Sequence, residues 1–398
     1  MKWFLFLLST IFVQGILGYH VEREYAWRNV TFEGVNPSSY NVLHSIPTGF
    51  AYDAETQKLF VAVPRRYPQV PHTLTEIERK KHPERSPPLS KFSGKSSKDL
   101  ISIYQPVIDE CRRLWVVDVG MVDYKEGQPK YRKQNPAIIA FDLTKENYPE
   151  VDRYELPAEV VKNPLSFGCF AVDVINPKGG CSDTFLYITN YEENTIVVYD
   201  KKNKASWKVS HDSFKPEKDV NIVLDGGKKY SYKVGIFGIT LGDREATGNR
   251  MAYYLAGSST KLYKVSTGAL KKKGARFDPI RIGDRGPYTE AITLVYDPKT
   301  KVIFFAESIT RQVSCWNTQT PLDSNHTDVI YSDARFLFGT DISVDSNSTL
   351  WVMANGHPPV DDPDIVNNEF YKPQIRLLYV DTRKSIRRTR CDVNGNKP

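Results

Sequence analysis

The sequence of 398 residues predicts an all-β fold, and three observations support this prediction. A unit made of an apolar strand, an Asp, a polar turn and a second apolar strand recurs six times. Aromatic residues make up 12% of the chain and there are only 4 Met, a composition that favours strands. No Gly/Ser-rich linker divides the chain, so we expect a single domain over residues 19–398.

The six repeated units predict how the strands are arranged. Each unit carries an Asp before its turn, and these marker residues are Asp53, Asp109, Asp173, Asp243, Asp297 and Asp345. Successive markers are 56, 64, 70, 54 and 48 residues apart, which allows one four-stranded sheet per repeat. Because radial repetition of such sheets is typical of β-propellers, we predict a six-bladed β-propeller with a central channel. Each marker is expected to cap its own turn by accepting from backbone N–H groups two residues further on.

The N-terminal segment indicates secretion. Residues 1–18, MKWFLFLLSTIFVQGILG, combine a single Lys with an apolar run and end on a small residue, as in a signal peptide cleaved after Gly18. No later run approaches the roughly 18 apolar residues that a membrane span requires, so no membrane association is expected. Sites of the form Asn-x-Ser/Thr predict glycosylation at Asn29, Asn325 and Asn347.

The formal net charge of +7 allows two interpretations of the basic residues. Short basic runs occur at 271–273 and 383–390, and we interpret them mainly as solvated surface. Weak attraction to anionic glycans or membranes is the alternative. Nothing in the sequence resembles a nucleic-acid-binding module, so no nucleic-acid partner is expected.

The five cysteines predict disulfide bonds in a secreted chain, because none of them has the spacing of a zinc site. They are Cys111, Cys169, Cys181, Cys315 and Cys391. The sequence alone does not assign the pairs. Cys169 lies in the apolar run SFGCFAVDV and is predicted to be a buried free thiol.

The last repeat, FGTDISVDSNSTLWVMANGHPP at 338–359, suggests a site at the open end of its hairpin. Two strand-like runs flank a polar tip, and facing residues of an antiparallel pair have a constant sum of residue numbers. With the turn centred between residues 347 and 348, Thr340 is predicted to face Asn355. The alternative for Asn355 is a residue that only ends its strand.

Aligning the repeats on their markers extends this site to other blades. Tyr104 falls at the position of Thr340, and Asn190 followed by Tyr191 falls at the position of Asn355 and its successor. Since equivalent positions of a propeller point to the same rim, one channel mouth is expected to collect Tyr104, Tyr191, Phe338, Thr340 and Asn355. The alternative for the aromatic residues is ordinary propeller core.

Aromatic faces beside neutral acceptors suit a small aromatic amine. The rings enclose the ligand ring and attract its ammonium group by cation–π interaction. A hydroxyl, an amide oxygen and a backbone carbonyl accept its N–H donors. Asp341 and Glu307 are candidate carboxylates that offset the positive charge of the ligand.

Signals for catalysis are weak. The 7 His show no HxH or HExxH spacing, and no GxSxG or phosphate loop occurs. We therefore expect a binding protein with no catalytic residue, no cofactor and no metal. A propeller hydrolase with a calcium ion in its channel is the alternative, because calcium takes several oxygen ligands. The residues that could supply them are Asp118, Asn190, Glu307, Asp341 and Asn355.

Several long motifs resemble one known family. They are IYQPVIDECRRLWVVDVG (103–120), FAVDVINPKGGCSDTFLYITN (170–190), GIFGITLGDR (235–244), YDPKTKVIFFAES (296–308), QVSCWNTQ (312–319) and FGTDISVDS (338–346). The chain resembles the yellow/major royal jelly protein family, and most of all the salivary yellow-related proteins of blood-feeding sand flies. The resemblance extends over essentially the whole chain after the signal peptide.

The resemblance implies a secreted salivary six-bladed propeller whose channel binds biogenic amines. Serotonin, catecholamines and, more weakly, histamine are the implied ligands, and their sequestration opposes vasoconstriction, platelet activation and inflammation at the bite. Some yellow relatives are linked to dopachrome conversion, so an enzyme of that type is the alternative. A third class is an interaction protein whose basic surface binds host or glycan partners. We expect a monomer.

The resemblance also assigns residues. The amine-binding positions fall on Thr340, Asn355 and the backbone carbonyl of His357, and the aromatic lining falls on Tyr104, Tyr191 and Phe338. Tyr191 stands where Phe is frequent, and His357 where an apolar residue is frequent. A cationic His357 below about pH 6.5 predicts weaker amine binding in mild acid. The implied disulfides are Cys111–Cys181 and Cys315–Cys391, which leaves Cys169 free.

Overall fold

The computed structural model describes residues 23–66, 69–122, 131–223, 227, 229–356, 375–393 and 395. Six four-stranded antiparallel sheets account for most of its strands. The first strand of each sheet in chain order from residue 49 onward is innermost, and these six strands contact one another in a closed ring. The prediction of an all-β, six-bladed β-propeller is confirmed.

The chain enters the structure with β1 (Arg23–Trp27), which belongs to the sixth blade. The first blade contains β2 (Gly49–Asp53), β3 (Lys58–Ala62), β4 (Leu74–Glu78) and β5 (Ser90–Lys91). The second blade begins with β6 (Ile103–Ile108) and β7 (Arg113–Asp118). A two-stranded insertion follows, made of β8 (Met121–Val122) and β9 (Tyr131–Arg132). The second blade then continues with β10 (Ala137–Asp142) and β11 (Glu150–Glu155).

The third blade contains β12 (Phe167–Val174), β13 (Thr184–Asn190), β14 (Thr195–Asp200) and β15 (Ala205–Ser210). A second insertion forms a hairpin of β16 (Val220–Val223) and β17 (Lys229–Tyr232). The fourth blade contains β18 (Ile236–Arg244), β19 (Arg250–Ala256), β20 (Lys261–Ser266) and, after helix α1 (Thr267–Leu270), β21 (Ile280–Asp284).

The fifth blade contains β22 (Ala291–Asp297), β23 (Val302–Glu307), β24 (Gln312–Asn317) and β25 (Thr327–Ser332). The sixth blade contains β26 (Gly339–Val344), β27 (Thr349–Ala354) and β28 (Ile375–Asp381), and helix α2 (Thr382–Ile386) follows it. Short 3₁₀ helices connect some of these elements, at Pro37–Ser39, Val42–His44, Pro164–Ser166, Pro177–Gly179 and Asp212–Phe214.

The ring is closed by pairing between strands that are far apart in the sequence. β1 lies antiparallel to β28, with Tyr25 opposite Leu377 and Trp27 opposite Ile375. Tyr25 and Trp27 are buried between the sixth and first blades. The sixth blade is therefore complete only when β1 supplies its outermost strand.

The hydrophobic core is divided among the blade interfaces. Each pair of neighbouring blades encloses one cluster of buried side chains. Alternate residues of a strand serve opposite interfaces: in β7, Trp115 packs towards the third blade and Leu114 towards the first. Because both faces of a blade are covered, strands such as β7 are apolar on both sides, which explains their continuous apolar runs.

The marker Asp residues cap their turns in four repeats but not in two. Asp345 follows the prediction, since its carboxylate accepts from the N–H groups of Asn347 at 2.9 Å and Thr349 at 3.0 Å. Turn caps of the same kind are made by Asp53, Asp109 and Asp297. The prediction is wrong for Asp173 and Asp243, whose carboxylates bind side chains of the next blade instead.

The contacts of Asp173 and Asp243 hold blades together. Asp173 is fully buried and pairs with Arg250 and Lys271 of the fourth blade. Asp243 accepts from the hydroxyl of Tyr296 at 2.9 Å and pairs with Lys301, both in the fifth blade. A carboxylate at the start of a turn thus either accepts hydrogen bonds from the N–H groups of that turn or binds side chains of the next blade.

The two implied disulfide bonds are confirmed. Cys111–Cys181 joins the first turns of the second and third blades, and Cys315–Cys391 joins the fifth blade to the segment after α2. Cys169 is a buried free cysteine, as predicted. Burial raises the pKa of the Cys169 thiol to about 12, so it stays protonated at neutral pH.

The predictions of a signal peptide, of glycosylation and of no membrane span concern the N-terminus and the surface of the protein. Residues 1–18, the predicted signal peptide, lie outside the described residues. Asn29, Asn325 and Asn347 are all exposed, which is compatible with glycosylation but does not test it. Among the described residues, no helix is long and apolar enough to cross a bilayer.

Candidate functional site

The candidate site lies at the end of the ring where the innermost strands begin, which we call the N-terminal rim. Near this rim five of the six innermost strands carry a β-bulge, where extra residues oppose the second strand of the blade. The bulge residues are Tyr104 and Gln105, Gly168 and Cys169, Phe237, Ile292, and Thr340. The alignment of Tyr104 with Thr340 therefore agrees with the structure.

The predicted pairing of Thr340 with Asn355 is wrong by two residues, because Asn355 faces Phe338. Gly339 pairs with Ala354 and Asp341 with Met353, so Thr340 is left over between them. Asn355 instead donates its backbone N–H to the carbonyl of Phe338 at 3.2 Å. One residue of this shift arises at the turn, which is centred on residue 347, since Val344 pairs with Leu350. The bulge at Thr340 adds the second, and a constant sum of residue numbers cannot anticipate it.

The alignment of Asn190 with Asn355 is also wrong, by one residue. The N–H of Tyr191 donates to the carbonyl of Ser166 at 2.9 Å, just as the N–H of Asn355 donates to Phe338. Tyr191 and Asn355 therefore hold equivalent rim positions on the third and sixth blades. Both side chains remain at the rim despite the change in alignment.

Thr340 presents a hydroxyl that the protein does not satisfy. Its Oγ1 atom is buried and has no hydrogen-bond partner among the described residues. An unpaired buried hydroxyl costs roughly 1–3 kcal/mol, so such groups are rare in native proteins. Nearby, the amide of Asn355 is buried and its Nδ2 donates to the carbonyl of Pro47 at 3.0 Å, which fixes the side chain.

Phe338 adopts a backbone conformation that bulky residues rarely take. Its φ is 55°, in the left-handed region, and its side chain is fully buried. Such a conformation costs of order 1–3 kcal/mol and persists only where the surrounding structure enforces it. It directs the chain from Leu337 into β26 while the Phe338 carbonyl still accepts from Asn355.

An aromatic cluster covers this part of the rim, and we call it the roof. It combines Phe338 and Leu337 with the inward faces of β16 and β17, and Tyr191 and Phe237 pack against it. The ring of Tyr230 meets Phe338 edge-on at 6.3 Å between centroids. Tyr191 stacks on Phe237 at 5.3 Å. The roof is thus built mainly by an inserted hairpin that the sequence did not reveal.

Two predicted site residues are not brought into the roof. Tyr104 packs against the core between the second and third blades, and its carbonyl accepts from the hydroxyl of Thr48 at 2.7 Å. His357 lies outside the described residues, so neither its carbonyl nor its ring can be placed. The structure therefore groups Tyr191 with Phe338 in the roof, bonds the backbone of Asn355 to Phe338, and leaves Thr340 two residues further along the same strand, with Tyr104 on another part of the rim.

Side chains from four blades meet across the ring beneath the rim. Gln105 donates to Asp341 at 2.7 Å and accepts from the N–H of Phe170 at 3.1 Å. Cys169 lies 3.7 Å from the hydroxyl of Thr293. Burial raises the pKa of Asp341 to about 7, although Gln105 and two backbone N–H groups donate to its carboxylate. Because one of these N–H groups belongs to Phe50, the contacts link the first, second, third, fifth and sixth blades.

The two carboxylates predicted to offset a ligand charge both have partners in the protein. Asp341 belongs to the network just described. Glu307 accepts from Thr310 at 2.7 Å, from Gln312 at 2.7 Å and from Ser314. Their hydrogen bonds give both carboxylates a structural role.

Sequence reasoning missed a different carboxylate. Glu290 is fully buried and precedes β22, and its carbonyl accepts from the N–H of Ser308 at 3.0 Å, a rim contact like that of Phe338 with Asn355. Glu290 stands seven residues before Asp297, as Phe338 stands seven before Asp345. Extending the alignment of repeats to this position would have placed Glu290 at the rim.

Asp118 and Asn190, two of the oxygen ligands suggested for calcium, have hydrogen-bond partners within the protein. Asp118 accepts from the N–H groups of Ile101, Ser102 and Gly120. Asn190 accepts from the hydroxyl of Ser166 at 2.7 Å and so has a protein partner too. Among the described residues, no group of three His, Cys, Asp or Glu side chains is arranged to hold a metal ion.

Comparison with known proteins assigns the fold to a family. Residues 101–391 match the family model described as major royal jelly protein. The chain belongs to the major royal jelly protein family. Blades two to five lie within the matched residues, together with β26, β27 and β28 of the sixth blade and therefore Thr340 and Asn355.

Relatives within the major royal jelly protein family are similar over the full chain. A yellow-related salivary protein of Phlebotomus perniciosus is 61% identical over 399 residues, which cover 100% of both chains. A yellow-related salivary protein of Phlebotomus orientalis is also 61% identical, with 100% of both chains covered. One from Lutzomyia longipalpis is 52% identical over 99% of this chain and 100% of its own.

Proposed function

We propose that the chain is a secreted salivary protein that binds biogenic amines at the N-terminal rim and does not turn them over. The observation that carries the proposal is the buried hydroxyl of Thr340, which has no hydrogen-bond partner among the described residues. An amine N–H donor would satisfy that oxygen. The relatives named above are salivary proteins, which supports secretion in saliva.

The neighbours of Thr340 suit an aromatic amine. The roof supplies the rings of Phe338, Tyr191 and Tyr230 for a ligand ring, and aromatic faces attract an ammonium group. The amide oxygen of Asn355 is a further acceptor type at the same rim. Serotonin and catecholamines combine a flat ring with a cationic amine, and histamine offers a smaller ring.

The experiment is calorimetric titration of serotonin into the secreted protein, beside Thr340→Ala and Asn355→Ala variants. Losing one hydrogen bond to a charged amine costs about 1.5–3 kcal/mol, so affinity should fall roughly ten- to a hundredfold. Thr382→Ala is the matched control. Thr382 also has a buried hydroxyl without a partner among the described residues, but it lies at the other end of the sixth blade.

The outcomes separate the functions considered. One-to-one binding that weakens in both rim variants and not in the control supports amine sequestration. Absence of binding to serotonin, noradrenaline and histamine contradicts it. Turnover of dopachrome by the purified protein, lost in the rim variants, would establish an enzyme instead.

A further inference from the structure

Three polar side chains next to the proposed amine site form a second group at the N-terminal rim. Glu290 and Ser308 belong to the fifth blade and hold the positions that Phe338 and Asn355 hold on the sixth. Tyr232 ends β17 and belongs to the roof together with Phe338. The hydroxyls of Tyr232 and Ser308 are close enough to interact, but their geometry falls short of a hydrogen bond, and the negative charge of Glu290 acts on Tyr232.

These side chains are buried with unused hydrogen-bonding capacity. Glu290 and Ser308 are 0% exposed and Tyr232 is 3% exposed. Among the described residues, Tyr232 OH, Ser308 Oγ and Glu290 Oε2 have no hydrogen-bond partner. Native proteins pair the great majority of such buried atoms, so a cluster of three on adjoining elements indicates a missing polar group.

We propose that Glu290, Ser308 and Tyr232 bind the ring hydroxyl of an aromatic amine held at Thr340 and Asn355. The inference rests on the proposed function and narrows it to amines whose ring carries a hydroxyl. The ligand hydroxyl donates to Glu290 Oε2 and accepts from Ser308 or Tyr232. A hydroxyl is the simplest group that is both donor and acceptor, as this set of partners requires.

The charges around Glu290 favour a neutral donor over the ammonium group. Lys218 pairs with Glu290 Oε1 at 2.5 Å, and the buried guanidinium of Arg285 also interacts with Glu290. The negative charge is thus already offset, and a third cation there would meet repulsion. The remaining lone pairs of Oε2 still accept a hydrogen bond from a neutral O–H group.

The experiment compares serotonin with tryptamine, which has the same ring and amine but no hydroxyl. A site built to bind a hydroxyl disfavours the analogue that lacks it, since buried partners stay unpaired. Wild-type protein should bind serotonin about ten- to a hundredfold more tightly than tryptamine. In Ser308→Ala and Glu290→Gln variants this ratio should fall towards one. Dopamine and phenethylamine form a second pair for the same comparison.

Tyr253→Phe is the matched control, because it removes the hydroxyl of a buried tyrosine in the fourth blade, where Tyr253 lies opposite Thr240 in the strand ladder. Its ratio of affinities should equal that of the wild type. Equal affinity of the wild type for serotonin and tryptamine overturns the hydroxyl subsite and leaves amine binding intact. The hydroxyl subsite is also overturned if the Ser308→Ala and Glu290→Gln variants keep the wild-type ratio of serotonin to tryptamine affinity. If neither amine binds, the proposed function fails, and the subsite fails with it.

Discussion

Thr340 shows how one side chain of the proposed amine site can be unfavourable for folding. Its bulge position removes it from the strand ladder, and its hydroxyl has no partner among the described residues. Phe338, two residues earlier, has a left-handed backbone. Both features cost free energy of folding, and such costs concentrate at functional sites.

Thr340→Val tests whether the Thr340 hydroxyl is unfavourable for folding but needed for the proposed amine binding. Valine keeps the branched shape and removes the unpaired hydroxyl, so the midpoint temperature of thermal unfolding should stay the same or rise slightly. Serotonin affinity should fall about ten- to a hundredfold, because one acceptor is lost. Calorimetry and thermal unfolding on the same preparation measure both effects. A lower midpoint with unchanged affinity would show that Thr340 only supports the fold.

Asp341 should make the stability of the protein depend on pH. Its folded-state pKa of about 7 lies above the value of about 3.9 for an unfolded chain, so the folded state holds the proton more tightly. The stabilisation is fully present below about pH 4 and is lost as pH rises to about 7, by about 4 kcal/mol. Urea unfolding at several pH values should show this slope.

Asp341→Asn should remove the slope between about pH 4 and pH 7, whatever its effect on stability at one pH. Glu146→Gln, at an exposed carboxyl, is the control and should keep the slope. The interpretation fails if the Asn variant retains the wild-type dependence.

At the residue scale, the sequence predicted part of the site. The repeats identified Thr340, Asn355 and Phe338 because a polar residue at the end of an apolar hairpin is conspicuous. They did not identify Ser308 or Tyr232, because a serine after a strand and a tyrosine in an apolar segment look ordinary. Only the folded ring brings these residues together.

At the element scale, the hairpin of β16 and β17 determines how closed the rim is. Its residues alternate between the roof and solvent: Val220, Ile222, Tyr230 and Tyr232 are buried, and their neighbours are exposed. This period of two gives the hairpin one face that packs on Phe338 and one that faces water. The hairpin therefore packs on Phe338 through its one apolar face.

Tyr230→Ala should loosen this cover. The change removes the edge-on contact with Phe338, and aromatic pairs contribute about 0.5–1.5 kcal/mol beyond buried area. Serotonin affinity should fall roughly two- to tenfold, mainly through faster dissociation. Stopped-flow displacement of bound serotonin measures the rate. Ser231→Ala, on the exposed face of the same strand, should leave the rate unchanged, and an equal effect in both variants would contradict a role of the roof.

The sequence contained an indirect sign of the insertions. The two longest intervals between markers, 64 and 70 residues, include the insertions β8–β9 and β16–β17. Length alone does not say whether extra residues extend a blade or form a separate hairpin. Packing against Phe338 decides this, and packing is a property of the assembled ring.

At the scale of the whole molecule, closure of the ring depends on β1. The repeats predicted six blades, but not that the sixth takes its outermost strand from residues 23–27. Nothing in the local pattern of β1 distinguishes it from other short apolar segments. Its partner strand β28 is far away in the sequence, with Trp27 opposite Ile375, so its role follows from the topology alone.

Trp27→Ala should weaken this closure. Trp27 is 1% exposed, packs between the sixth and first blades, and donates to the carbonyl of Pro87 at 2.8 Å. Truncating a buried Trp typically costs about 3–5 kcal/mol of unfolding free energy. Urea unfolding of the secreted protein measures the loss, and Arg28→Ala, at the exposed neighbour, should cost little. A loss no larger than that of the control would show that β1 is dispensable.

The position of the cross-blade contacts has a consequence for how this protein can change. Cys111–Cys181 and the contacts of Asp173 and Asp243 lie near the turns between first and second strands, opposite the N-terminal rim. Thr340, Glu290 and the β16–β17 hairpin lie at the other end. Substitutions at the proposed amine site therefore need not disturb the contacts that hold the blades together. Duplicated copies of such a chain could diverge at the N-terminal rim, and so in the ligands that we propose for it, while they keep the same contacts between blades.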